Sequence, residues 1–306
     1  MARGTPWMVA ALALMAAVGA GGCSVRRLAV NALGNALATG TSAWAGDEDL
    51  ELVRDATPFA LKTIESLLGE NPRHRGLLLA AAAGFTQYAY AFVHSEADYL
   101  EEQDLARATA LRRRAVRLYL RARTYGLRAL EEAHPGLAAR LLADPAATLA
   151  ATRRDDAAAL HWTAAAWGAA ISLAKDDAEL AADLKVVEAL ARRALVLDEG
   201  FGEGAIHDFF IAFEGGRPAA AGGSAERARH HFERAVAISR GQRAAPYVAL
   251  AESVCLAEQN RVEFEALLRQ ALAVDPNAAP AQRLANQVAQ RRARWLLARS
   301  EELFLE

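Results

Sequence analysis

The sequence predicts an all-α fold, assembled from helix pairs and ending in a capping helix. Three observations carry this. Runs rich in Ala, Leu, Arg and Glu fill the chain, with β-branched residues scattered among them, a composition that favours helix over strand. Turn chemistry cuts those runs into helices of ordinary length, at Gly69 to Pro72, His134 to Gly136, Asp144-Pro145, Asp198 to Gly204, Gly215 to Gly223, Gly241 and Asp275-Pro276. A small-large-small spacing then recurs along the chain, and it is the kind that lets neighbouring helices approach closely.

That spacing is the second-helix pattern of a tetratricopeptide unit: Ala, a large residue four on, and Ala three further. Ala115, Tyr119, Ala122 and Ala228, Phe232, Ala235 match in full. Phe264, Leu268, Ala271 keeps the last two types, and Val187, Ala191, Ala194 is degenerate. Ala235 and Ala271 are 36 residues apart, near the repeat length of about 34, and Pro276 follows where such a helix ends. First helices are placed at Leu77 to His94, Ala157 to Leu173, Gly204 to Phe213 and Pro246 to Glu258. The expectation is therefore a divergent tetratricopeptide-like array of about four helix pairs, capped by a helix from near Ala278 to the end. An irregular bundle is the alternative, because Ala-rich helices produce such matches by chance.

The N-terminus reads as a targeting segment. Arg3 is followed by an apolar run from Met8 to Val18 and then Gly19, Ala20, Gly21 and Gly22 before Cys23. Basic, apolar and small, in that order, is a secretory signal. The apolar run falls short of the roughly 20 residues a helix needs to cross a bilayer. Gly21 and Gly22 directly before Cys23 fit lipoprotein processing, although Ala20 stands where a larger branched residue is usual. Residues 1–22 are thus expected to be a removed signal peptide, 23–46 a lipid-anchored segment starting at Cys23, and 47–306 one helical domain. Ser24, not Asp, follows the cysteine, which in enteric-type sorting permits transfer to the outer membrane, with the protein facing the periplasm. Cys255, the other of the 2 cysteines, lies in an apolar helical stretch, so a core and not disulfides is expected to hold the chain.

A formal charge of −2 offers nucleic acid no bulk attraction. No His-Glu-x-x-His, Cys-x-x-Cys or acidic calcium loop occurs, and no cofactor or metal is expected. Gly-x-Ser-x-Gly is absent, and Gly200-Phe201-Gly202-Glu203-Gly204 fits neither phosphate-binding pattern, so it reads as a turn between helices. Three surfaces remain. His207, Asp208 and Phe209, beside Phe210, either face a ligand cavity or pack in the core. Arg107, Arg113, Arg114, Arg117, Arg121 and Arg128 fall within a third of a helical turn, either a basic stripe for an acidic partner or anionic lipid, or a solvated face. Trp162 lies off the apolar stripe of Leu160, Ala164, Trp167 and Ile171, and is placed at a cavity or an interface.

Several short runs then occur in a characteristic order. They are Trp162-Thr163 with Trp167-Gly168, Gly204-Ala205-Ile206-His207-Asp208, Gly222-Gly223-Ser224 before His231-Phe232, and Pro246-Tyr247-Val248 with Ala251-Glu252. Leu284-Ala285-Asn286, Arg292-Ala293, Leu296-Leu297 and Leu303-Phe304 follow, and weaker similarity reaches back through Tyr119-Leu120-Arg121 and Arg114-Ala115 to about Asp55. In these runs the chain resembles the T-component lipoproteins of TRAP transporters. The resemblance implies a non-enzymatic periplasmic lipoprotein of cryptic tetratricopeptide-like pairs, a homotrimer with a pore or cavity in each protomer. It also implies a partner, the solute-binding (P) subunit of a TRAP uptake system, and a small hydrophobic or organic-acid ligand. The alternatives are an envelope-assembly scaffold that recognises peptides, and a hydrolase using His207 with Asp208. Metabolic labelling with a fatty-acid analogue is expected to mark the wild-type chain; label that persists in Cys23→Ala would remove the anchor.

Overall fold

The computed structural model describes residues 41–304, and every regular element there is helical. The expected signal peptide and the expected lipidation site, Cys23, lie outside the described residues. Short α1 (Thr41–Ala45) leads to α2 (Leu50–Glu70) and α3 (Arg75–Ala89), which passes through a π-helical turn, Tyr90–His94, into α4 (Ser95–Leu100). Next come the long α5 (Leu105–Ala133), short α6 (Leu137–Leu141) and α7 (Pro145–Leu149), α8 (Ala157–Leu173), α9 (Ala178–Ala182) and α10 (Leu184–Leu197). The C-terminal part holds α11 (Ala205–Gly215), α12 (Ala225–Ser239), α13 (Ala245–Leu250) with a second π-helical turn at Ala251–Cys255, α14 (Arg261–Ala273), α15 (Arg283–Ala298) and α16 (Ser300–Leu303).

Local chemistry sets the helix starts. Asp49 accepts from the backbone N–H groups of Glu51 and Leu52, and Asp104, Asp144, Asp177, Ser224 and Asn260 cap later helices in the same way. His74 is an unexpected cap: its Nδ1 accepts from Leu77 N at 3.2 Å, so α3 begins two residues before the predicted Leu77. The predicted helix Ala157 to Leu173 is found at those bounds. The Pro246 to Glu258 helix instead loosens after Leu250 into its π-helical turn. The last predicted helix is divided in two places. Pro280, without an N–H, opens a 3-10 turn before α15, and Arg299 breaks the chain before α16.

Each long helix packs on its neighbours in sequence: α3 on α5, α5 on α8, α8 on α10, α11 on α12 and α14 on α15. Arg75–Leu100 is long and apolar enough to cross a membrane, yet α2, α5 and α8 pack against its α3 part, and half of its most apolar stretch is buried by protein. Buried apolar residues form two clusters. The larger runs from Leu61 to Phe213 and the smaller from Ile211 to Phe304. Helix α11 belongs to both, with Ile206, Phe210 and Phe213 on one side and Ile211 on the other.

The two ends of the described region meet. Helix α15 returns to α1, α2 and α4: Arg283 donates to the Gly46 carbonyl at 2.9 Å, Trp295 sits 5.3 Å from Tyr99, and Arg299 pairs with Glu102. Between them Arg292 bridges Asp98 at 2.9 Å and Glu252 at 2.6 Å. Helix α15 is therefore a closing element.

One crossing leaves no room for a side chain. A Cβ at Gly126 of α5 would collide with the Thr163 side chain of α8, both residues being buried in the larger core. Gly126→Ala is expected to lower the stability by about 1–3 kcal/mol despite the better helix propensity of alanine, read as a fall in unfolding midpoint. An unchanged or raised midpoint would show that the helices can move apart without cost.

Candidate functional site

The basic stripe of α5 is a ladder. Arg107, Arg114, Arg121 and Arg128 recur every seven residues, two helical turns apart, along one edge of the groove that α5 forms with α2 over α3. Aromatic rings underlie the guanidiniums: Arg114 lies 5.9 Å from the Tyr88 ring, Arg121 5.0 Å from Phe85 and Arg128 5.5 Å from Tyr125. At Arg121 the charge is neutralised. Its guanidinium pairs with Glu65 of α2, which also accepts from Tyr125 at 2.7 Å and from Lys62 at 2.8 Å. Burial opposes the charge on Glu65, but Lys62, Tyr125 and Arg121 together hold its pKa below the ordinary value.

Seven residues earlier on both helices the pattern changes, and Arg114 faces Pro58. Here the groove opens into a cleft of about 570 Å³, lined by Pro58, Tyr88, Phe92 and Leu111 and by the charged residues Arg54, Asp55, Glu96, Arg107, Arg114 and Arg291. That volume lies within the range of small-molecule sites, roughly 300–1,000 Å³. The acids are already engaged: Asp55 with Arg54 at 2.9 Å, and Glu96 with Arg291 at 3.4 Å. Among the described residues, Arg107 and Arg114 have no carboxylate partner. The π-helical turn that carries Phe92 forms one wall, and such turns are frequent at functional sites.

The second region is built on α11, behind the predicted turn. Gly204 takes φ +94°, open to glycine and strained for other residues, and ends the loop from Asp198. His207 is buried. Its Nδ1 lies 2.8 Å from Nδ1 of His231, and its Nε2 lies 3.2 Å from Glu199. With both rings neutral, one tautomer set satisfies this chain: His207 Nε2–H donates to Glu199, and His231 Nδ1–H donates to His207. Burial pushes the His231 pKa down to about 4, and the His207 pKa is lowered by the same cause. His231 stacks on Phe210 at 4.8 Å, while neighbouring His230 is exposed.

His207 and Asp208 do not work as a pair. Asp208 takes a fork of Arg243, a guanidinium only 6% exposed, and burial raises its pKa against that neighbour. Close by, His161 lies 4.9 Å from Trp162 and 5.2 Å from Phe201. Burial, with Arg243 nearby, pushes its pKa down to about 3, so it is neutral at physiological pH. Phe209 is half-buried, stacked on Phe213 at 5.3 Å and abutting Gly168 of α8. Trp162 is half-buried too.

A third feature had no local signal. Tyr90, in the first π-helical turn, keeps 42% of its surface accessible, yet burial drives its hydroxyl pKa well up, with Glu252 and Asp98 adding to the rise. Its neighbours Glu252 and Arg292 come from the C-terminal part of the chain.

Of the predicted residues, the structure brings Arg114 to the cleft and commits Arg121 to Glu65. Arg117 is exposed and outside the cleft lining. Trp162, Asp208 and Phe209 cluster around α8 and α11, whereas His207 turns to α12. Sequence reasoning missed Tyr88, Phe92, Arg54 and Arg291 in the cleft, and Arg243 and Glu199 around α11. Each belongs to another helix or loop, and only the seven-residue arginine spacing offered a local signal. Among the described residues no three His, Cys, Asp or Glu side chains converge to hold a metal ion.

Taken together, the fold and its cleft define an all-helical protein with recessed, charged and aromatic surfaces suited to binding. A family model described as TRAP transporter T-component matches residues 46–304, and the chain belongs to this family. A protein of Treponema pallidum (strain Nichols), described as uncharacterized, is 31% identical over 303 residues, covering 93% of this chain and 94% of that one. The family is a transport accessory and not a known enzyme family, and membership supports an accessory role with a TRAP transporter in the periplasm or envelope.

The neutral His161 sets a pH dependence. Its folded pKa lies below the unfolded value near 6.5. Its contribution is therefore complete above about pH 6.5 and is lost as pH falls toward about 3, because the unfolded chain takes up the proton first. His161→Phe keeps a ring between Trp162 and Phe201 and cannot titrate. The variant is expected to gain stability over wild type at pH 5 relative to pH 8, by about 1–2 kcal/mol in denaturant unfolding. An equal difference at both pH values would show that His161 does not titrate in this window.

Proposed function

We propose that this chain is a lipid-anchored, periplasm-facing accessory of a TRAP-type uptake system, joined to the outer membrane through Cys23. It binds the solute-binding P subunit and does so as a homotrimer of tetratricopeptide-like protomers. The observation that carries this reading is the T-component family match across residues 46–304. The structure supplies a surface consistent with it: a charged cleft between α2 and α5.

Alternation of small and large buried residues supports the helix-pair part of the reading. Ala115, Tyr119 and Ala122 are fully buried on α5, as are Ala228 and Ala235 on α12, and Phe264, Leu268 and Ala271 on α14. Small residues at these crossings let successive helices stack, and stacked pairs present extended surfaces to a partner. A lipid anchor fits such a module, since two or more acyl chains hold a soluble body stably at a membrane. The His207 and Asp208 geometry supports a binding protein over a hydrolase, because each side chain is committed to a different partner.

The test is co-purification of the full chain with the solute-binding protein encoded beside it, with native mass spectrometry of the chain alone. Capture of that subunit and a trimeric mass are expected. Reproducible failure to capture it, with a monomeric chain that holds unrelated peptides, would overturn the reading.

A further inference from the structure

We propose that the cleft at Arg107 and Arg114 is a binding site for a small organic anion, a carboxylate carrying an apolar body. The inference deepens the accessory reading by naming a ligand class and a place for it, and it rests on that reading for its biological setting. It begins from a broken pattern. Where the arginine ladder meets α2 at Arg121, Glu65 supplies the counter-charge. One repeat earlier the residue facing the ladder is Pro58, which has neither charge nor polar side chain, and the cleft opens there.

The balance of charge in the cleft is positive. Arg54 and Arg291 share their charge with Glu51, Asp55 and Glu96, the longest of these contacts being 3.8 Å. Arg107 and Arg114 are left over. Both are exposed on α5, and a guanidinium offers a planar fork that matches a carboxylate with two parallel hydrogen bonds. Residues 1–46 hold no acidic residue and include Arg26 and Arg27. Asp47 accepts from Asp49 N at 2.9 Å, in the turn before α2.

The remaining walls choose the rest of the ligand. Tyr88 and Phe92 lie with their rings 5.9 Å apart, and Leu111 and Pro58 complete an apolar lining beside them. Arg114 is held over Tyr88, its Nη2 at 3.5 Å from the hydroxyl, so one donor group is oriented before any ligand arrives. A fully hydrated inorganic anion would leave those apolar walls unused. A carboxylate with an aryl or alkyl body uses both the guanidiniums and the walls.

Titration calorimetry of the purified full chain with phenylacetate, and with neutral phenylacetamide, tests this. Phenylacetate is expected to bind saturably and the amide not to bind. Arg107→Gln or Arg114→Gln should weaken phenylacetate about tenfold or more, the scale of a lost charged hydrogen bond. Lys175→Gln, exposed and outside the cleft, should leave it unchanged. Pro58→Glu places a carboxylate opposite Arg114, as Glu65 stands opposite Arg121. It should abolish phenylacetate binding while the chain stays folded, as read by circular dichroism.

Absence of saturable phenylacetate binding to the wild type, equal binding of the amide, or unchanged affinity in Arg114→Gln and Pro58→Glu would overturn the site. So would variants that bind phenylacetate normally but lose capture of the solute-binding protein, since the arginines would then be a protein contact. Phenylacetate binding is read on the chain alone and capture on the pair, so failure of the site and failure of the accessory reading are separable.

Discussion

The closure of the described chain on itself centres on one buried cation, Arg292. Arg292 lies in the last long helix, its side chain only 13% exposed, and it joins Asp98 of α4 to Glu252 in the C-terminal half. Removing a guanidinium from water is costly, and a single buried ion pair seldom recovers the whole cost. Here two carboxylates share the charge, and the Trp295 ring lies 4.4 Å below it with Tyr99 at 5.9 Å. Burial lowers the Arg292 pKa, but Glu252, Tyr90 and Asp98 more than reverse this, so the side chain stays charged. Its value is geometric: the partners are 194 and 40 residues away in sequence, and no apolar contact defines that junction so narrowly.

Both π-helical turns converge on this junction. Glu252 lies within Ala251–Cys255, and Asp98 lies four residues past the end of Tyr90–His94, in α4. A π-helical turn admits one extra residue and rotates the side chains beyond it, at a cost in backbone hydrogen bonding that packing must offset. In the first turn His94 is held at 3.2 Å from the Tyr119 hydroxyl, and Ser95 donates to the Tyr90 carbonyl at 2.9 Å. In the second, the Ser253 hydroxyl donates to Ala249 at 2.6 Å. These bonds support the loosened backbone from which Glu252 reaches Arg292. The same first turn sets Phe92 into the wall of the cleft. One local irregularity in a core helix thus contributes to both the closure, through the nearby Asp98, and the cleft, through Phe92.

This explains which parts of the structure could be read from the sequence. Helix type, most boundaries and the fully buried positions follow from periodicity, caps and turn residues, all of which act over a few residues; Asp49, Asp104 and Ser224 cap as their types require. The small-large-small triplets fall on core residues, the half-buried Phe232 excepted, because close packing leaves a local composition behind. Closure leaves none. Arg292 in sequence is one arginine among several on an amphipathic helix, and nothing near it names Asp98. The π-helical turns were equally silent, since Tyr90 to His94 and Ala251 to Cys255 have ordinary helical composition. His207 was legible as unusual but not as to its partner: Asp208 was adjacent, yet successive helical residues point about 100° apart, and His231 was reached instead.

The arginine ladder shows the same limit in charge. A helical wheel groups Arg107, Arg114, Arg117 and Arg121 on one face and treats them alike. What separates them is the facing helix, where the opposing side chain decides whether a guanidinium is a structural tie or an available one. Glu65 makes Arg121 a tie, and its own buried position requires that cation. Pro58 makes no such demand of Arg114. Because an unpaired guanidinium at the surface is hydrated at little cost, the fold does not need Arg107 or Arg114 to be neutralised, and stability leaves both free to meet an external anion. A partnered arginine in the same cleft would have to break its ion pair first. Availability, not basicity alone, is the property that distinguishes the upper end of the ladder from the lower.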